Sequence, residues 1–144
     1  HEGPAKLHEV LGYVALAVAV LRVLWGLVGS RHARFGDFVC SPAETIAYAR
    51  LVLAGTEPRV LGHNPLGGWM ILAILASVVG VGVTGWMMLT DTYWGVAWVE
   101  ELHEVLANAI LLLVALHVLG VIFTSRRHHE NLVSAMIDGR KRAL

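Results

Sequence analysis

Residues 102–124 read LHEVLANAILLLVALHVLGVIFT, and this stretch decides the fold. A roughly 30 Å hydrocarbon core is crossed by about 20 helical, mainly apolar residues. The stretch is long enough, and only His103, Glu104 and His117 in it can ionise. Working outward, residues 10–28 form another such stretch with one charge, Arg22, and residues 66–89 form one with no charge at all. In chain order the first, second and third spans are thus 10–28, 66–89 and 102–124. The 144-residue chain is 56% hydrophobic and 15% charged, whereas a soluble domain carries about 25% charged residues. The expected fold class is therefore all-α: an integral membrane helical bundle with three visible transmembrane helices, forming a single membrane domain over residues 1–144. The first stretch is too long for a signal peptide and leads into arginine-rich sequence rather than a small-residue cleavage site. The chain begins with His1 rather than Met, so a processed or truncated product, with sequence missing upstream, is expected.

Charge orients the spans. Arg31, Arg34, Arg50 and Arg59 lie in the first connection, and Arg126, Arg127, Arg140, Lys141 and Arg142 follow the last span. The second connection holds Asp91, Glu100 and Glu101 and no Lys or Arg. The excess of basic residues on cytoplasmic loops puts the first connection and the tail (residues 125–144) inside, and the N-terminus outside. Trp86, Tyr93, Trp94 and Trp98 suit an aromatic belt at the outer interface. Within the first connection, Ser41-Pro42-Ala43-Glu44 reads as an N-cap with proline at the first helical position. A short amphipathic helix is expected over residues 42–54, with Ile46, Leu51 and Leu53 on its apolar face and Gly55 ending it. Gly62-His63-Asn64-Pro65 is a turn into the second span, and residues 130–143 are expected to form a further interfacial helix. Zero net charge implies no nucleic-acid partner. The single cysteine, Cys40, excludes an internal disulfide or a thiolate cluster.

Eight histidines are the oddity in so apolar a chain, because ionisable groups in membrane spans are costly and usually functional. His103 and His117 are fourteen residues apart. On an α-helix that spacing returns to within roughly 40° of the same face, about 21 Å further along. The distance is too long for one metal ion and suits two haems stacked across a bilayer. His8 starts the first span, which runs in the same direction as the third, so His8 and His103 sit at one depth and can ligate one iron from opposite faces. Gly12 and Ala15 after His8, and Ala107 after His103, leave room for a flat macrocycle or for close helix packing. Arg22 lies at the depth of His117 and suits a propionate, or it snorkels to the inner interface. His63 reaches the inner level too, as a turn cap, as a contact to a propionate or quinone, or as a ligand. The same histidines also suit a proton relay or interhelical hydrogen bonding. His128, His129 and Glu130 stand in a basic tail, His1 and His32 read as solvated, and no second histidine completes a zincin motif after His8-Glu9 or His103-Glu104.

Several motifs now gather into one resemblance. Leu7-His8-Glu9-Val10-Leu11-Gly12-Tyr13, Arg22-Val23-Leu24-Trp25-Gly26, Gly29-Ser30-Arg31-His32-Ala33-Arg34-Phe35, Gly62-His63-Asn64-Pro65-Leu66-Gly67, Leu102-His103-Glu104 with His117, and Glu130-Asn131-Leu132-Val133 resemble the bacterial cytochrome b561 and nickel-hydrogenase b-type cytochrome family. The resemblance implies a four-helix core binding two b haems through paired histidines. It implies electron transfer in the bacterial inner membrane between quinone and a periplasmic partner, a c-type cytochrome or a hydrogenase-like protein. His8 and His103 match the outer haem ligands, and His117 matches one inner ligand. The family's first helix, with its own histidine, has no counterpart. A helix upstream of His1, a second chain, or an inner haem that is absent or uses His63 would each account for this; the first is the expectation. Expected partners are thus membrane lipid, quinone and the periplasmic redox protein, with a homodimer admitted. The rival functions are a haem-containing anchor subunit of a redox enzyme, and a histidine-relay transporter or proton-conducting subunit.

Overall fold

The computed structural model describes residues 2–30, 33–58, 60 and 63–127. Five helices follow in order: α1 Glu2–Val28, α2 Phe35–Phe38, α3 Pro42–Ala54, α4 Pro65–Met87 and α5 Ala97–Arg127. No strand occurs among the described residues. Helices α1, α4 and α5 are long and apolar enough to cross a membrane.

The helix ends follow from local chemistry. At α3, the Ser41 hydroxyl accepts from the Glu44 amide while the Glu44 carboxylate accepts from the Ser41 amide at 2.8 Å. This reciprocal pair satisfies two amides that the first turn leaves without helical partners. At the other end Gly55 adopts φ +78°, a left-handed conformation that costs glycine little. The Gly55 and Thr56 amides then bond back to the Val52 and Leu51 carbonyls, closing the helix as a Schellman motif. Helix α4 starts on Asn64, whose side chain accepts from the Gly67 amide at 2.7 Å, with Pro65 in the first turn. Gly95, at φ +72°, turns the chain into α5.

Helix α4 is the middle element. Both α1 and α5 pack on it, whereas no Cα of α1 comes within 8 Å of one in α5. Small residues make this close approach achievable. A Cβ at Gly82 would lie 2.9 Å from Leu16 of α1, and one at Gly80 would lie 2.9 Å from Leu106 of α5. Helix α2 closes the end of the α1–α4 pair formed by the C-terminus of α1 and the N-terminus of α4. The Phe35 ring fills the space beside Gly26, and the Phe38 carbonyl sits where a Cβ on Gly68 would be 2.8 Å away. Trp69 Nε1 donates to the Cys40 carbonyl at 3.1 Å.

The interior is thin. Among the described residues, Ala19, Phe38, Tyr48 and Val99 are the buried apolar ones, while leucines, valines and tryptophans along α1 and α5 are exposed. A soluble protein rarely exposes so continuous an apolar surface. Lipid is the solvent that matches it, and the chain is a multi-pass membrane protein.

The helices differ from the expected spans mainly at their ends. Helix α1 begins at Glu2 rather than near residue 10, because Pro4 falls in its first turn, where a missing amide is harmless. Helix α5 begins at Ala97, so Trp98, Glu100 and Glu101 lie in the helix and not in a loop. The four-residue α2 carries no strong sequence signal. Helix α3 spans residues 42–54 as expected, but the stripe it turns inward is Thr45, Tyr48, Ala49 and Val52; Ile46, Leu51 and Leu53 are exposed. Burial raises the Tyr48 phenol pKa, as does the nearby Glu57 charge, against a hydrogen bond with Asn64. Glu57 in turn pairs with Arg127 Nε at 2.7 Å, tying the α3–α4 loop to the end of α5. The expected tail helix over residues 130–143 and the His128-His129-Glu130 group lie outside the described residues.

Candidate functional site

Helices α1 and α5 stand apart, yet at one end a side chain from each crosses the gap. The His8 and His103 rings have centroids 6.3 Å apart and planes at 79°. Two metal–imidazole bonds of about 2 Å each, with roughly 1 Å from each nitrogen to its ring centre, span about 6 Å. Two imidazoles that held one haem iron between them would stand about this far apart, so these residues would fit haem. The donor set agrees with that fit. No cluster of three or more His, Cys, Asp or Glu side chains with metal-site geometry occurs among the described residues, and a bare zinc ion would want four ligands. A macrocycle brings its own equatorial donors and asks the protein for two.

The surroundings leave space. Gly12, one turn after His8, is open: a Cβ there would meet nothing within 4 Å. Ala15 is exposed and Ala107, one turn after His103, is half-buried.

His103 is held from behind. Its Nδ1 lies 3.1 Å from Thr84 Oγ1 on α4. That hydroxyl also lies 2.9 Å from the Gly80 carbonyl and 3.1 Å from the Val81 carbonyl, either of which can take its proton. With Nε2 used to hold a metal, Nδ1 carries the ring proton and would donate it to the Thr84 oxygen. Gly85 completes the support, since a Cβ there would lie 3.1 Å from His103 Cε1. Sequence reasoning passed over Thr84 and Gly85. The available signal was that Thr84 is a hydroxyl in a charge-free span, at the end of α4 level with the start of the antiparallel α5.

The other candidates sit elsewhere. His117 is half-buried on α5, and among the described residues no ring contact joins it to another histidine. The His63 ring stacks on Phe38, with centroids 5.0 Å apart and planes at 31°. Arg22 donates through Nη1 to the Ala33 carbonyl at 3.3 Å and lies over the Phe35 ring at 5.3 Å. It therefore braces the α1–α2 corner.

The sequence pattern of prokaryotic cytochrome b561 matches residues 2–139. A probable Ni/Fe-hydrogenase B-type cytochrome subunit from Azotobacter vinelandii is 26% identical over 160 aligned residues, covering 92% of this chain and 65% of the relative. The chain thus spans a little under two thirds of that relative's length. No solved structure matches significantly. A match over nearly the whole chain, on three membrane-crossing helices, places the protein in the prokaryotic cytochrome b561 family of membrane b-type cytochromes.

Proposed function

We propose that the protein relays electrons through haem b held between α1 and α5, with His8 and His103 as axial ligands and His117 as a ligand of a second haem about 21 Å further along α5. Haem with both axial positions filled supplies a one-electron ferric–ferrous couple. The chain's own work is to orient two neutral imidazoles and keep their lone pairs facing each other across a gap that small residues leave open. The observation that carries this reading is the 6.3 Å histidine pair joining two helices that have no close backbone contact. The charge pattern supports an outer position for this pair in the bacterial inner membrane, with the N-terminus outside and the C-terminus cytoplasmic. Electrons then pass between membrane quinone and a periplasmic redox protein, either a c-type cytochrome or a hydrogenase-like partner; the named relative, a hydrogenase cytochrome subunit, favours the latter.

The test is spectroscopic. Purified protein should show low-spin b-type bands that sharpen on dithionite reduction, and His103→Ala should remove one haem per chain. A preparation without a Soret band would leave a histidine proton relay as the better account. Full haem retention in His103→Ala would refute the assigned pair.

A further inference from the structure

We propose that Thr84 is a positioning residue that sets the reduction potential of the haem held by His103, an inference resting on the ligand assignment above. Thr84 is 4% exposed and lies on α4, the helix wedged between those carrying the two histidines. Its hydroxyl lies 3.1 Å from His103 Nδ1 and 2.9 Å from the Gly80 carbonyl; with His103 ligating through Nε2, Nδ1–H donates to Thr84 Oγ1 and Thr84 Oγ1–H donates to the Gly80 carbonyl. Three consequences follow. The ring cannot rotate about χ2 without losing its partner, so its plane is fixed. The tautomer is fixed, with Nε2 as the free donor atom. The ligand is made more electron-rich, because a hydrogen bond from the distal N–H raises imidazole basicity.

The sign of the effect follows from charge. A more basic ligand stabilises ferric over ferrous iron and holds the potential down. Threonine is a neutral acceptor whose own proton is committed, so it does this more weakly than a carboxylate would. The arrangement suits a low-dielectric span, where a carboxylate would itself be costly. Gly85 serves the same end sterically by leaving His103 Cε1 room on the Thr84 side.

The experiment compares Thr84→Val, which keeps the shape and removes the hydroxyl, with Thr84→Ser, which keeps the hydroxyl, and with His103→Ala, all as purified haem-loaded protein. The readouts are haem per polypeptide, spectroelectrochemical midpoint potential and the low-temperature EPR signal of low-spin ferric iron. Thr84→Val should keep its haem, shift the EPR signal and raise one midpoint potential. The expected rise is about a tenfold change in the ferrous-to-ferric ratio at fixed ambient potential, about 59 mV for one electron. Thr84→Ser should match the parent. Loss of haem in Thr84→Val with retention in Thr84→Ser would equally support the hydroxyl's role. An unchanged or lowered potential in Thr84→Val, or equal loss of haem from both variants, overturns the proposal. If His103→Ala removes a haem in the same series, the ligand assignment survives that failure; if His103→Ala retains all its haem, the assignment itself is wrong.

Discussion

Two glycines on one helix offer a sharp test of how the histidine pair is assembled. A Cβ at Gly80 and a Cβ at Gly82 would both come 2.9 Å from a leucine, but not from equivalent atoms. At Gly80 the nearest atom is Leu106 Cδ1, the free end of a side chain, with Leu106 Cγ already 3.9 Å away. A change of rotamer clears it. At Gly82 the nearest atoms are Leu16 Cβ and Cδ1, with Cγ at 3.1 Å. No rotamer moves a Cβ, so α1 must retreat from α4 by roughly 1 Å to restore ordinary contact at about 3.5–4.0 Å. Gly82→Ala should therefore cost about 1–3 kcal/mol, the usual range for overpacking. That is about one to two orders of magnitude in the folded ratio, at about 1.4 kcal/mol per tenfold. Gly80→Ala should fall near neutral, because its smaller clash is offset by the better helix propensity of alanine. The displaced helix also carries His8, and ligand distances tolerate only about 0.2 Å. Gly82→Ala should thus lose haem as well as stability, whereas Gly80→Ala keeps both. Reversible unfolding in mixed micelles, followed by far-UV circular dichroism alongside haem per polypeptide, measures the two effects together. Equal behaviour of the two variants would refute the claim that the α1–α4 contact sets the histidine spacing.

At the end of α5, Arg127→Ala removes an ion-pair partner of the Glu57 carboxylate, whose side chain is 4% exposed. Removing one partner of a buried pair costs about 3–5 kcal/mol; Arg127 is itself one-third exposed, so about 1–3 kcal/mol is expected, with partial recovery in the Glu57→Gln/Arg127→Ala double variant measured by a double-mutant unfolding cycle. The Glu44 carboxyl is held below its ordinary pKa of 4.5 by the Ser41 side-chain hydrogen bond, then by the Ser41 amide. A depressed acid stabilises the fold above its unfolded pKa and loses that contribution as pH falls through the lower folded value. Amide exchange in the first turn of α3 should therefore accelerate as pH falls below about 4.5, after correction for intrinsic exchange, and Glu44→Gln should abolish that pH dependence.

Much of this protein is legible one helix at a time. Hydrocarbon thickness fixes span length, so residues 66–89 and 102–124 announce α4 and α5 to within a few residues of their ends. The cap at Ser41 and the stop at Gly55 depend on contacts between near neighbours, and α3 lies where they place it. The facing of His8 and His103 follows from helix direction and register, and the rings do meet. Three features needed the tertiary structure. Which helix stands in the middle depends on where glycines face leucines across helices, and hydropathy, nearly uniform around each span, is blind to that. Thr84 reaches His103 only because α4 runs antiparallel beside α5 with Gly85 clearing the ring; in the sequence it is one hydroxyl among apolar neighbours, nineteen positions away. Arg22, read by depth alone, suits an anion at the level of His117, whereas the folded chain turns it to the Ala33 carbonyl and the Phe35 ring, because the short helix α2 brings those groups beside it. Length and charge are one-dimensional quantities that the sequence carries in full. The side-chain partners of a span are set by rotation about its axis against its neighbours, and packing alone decides that rotation.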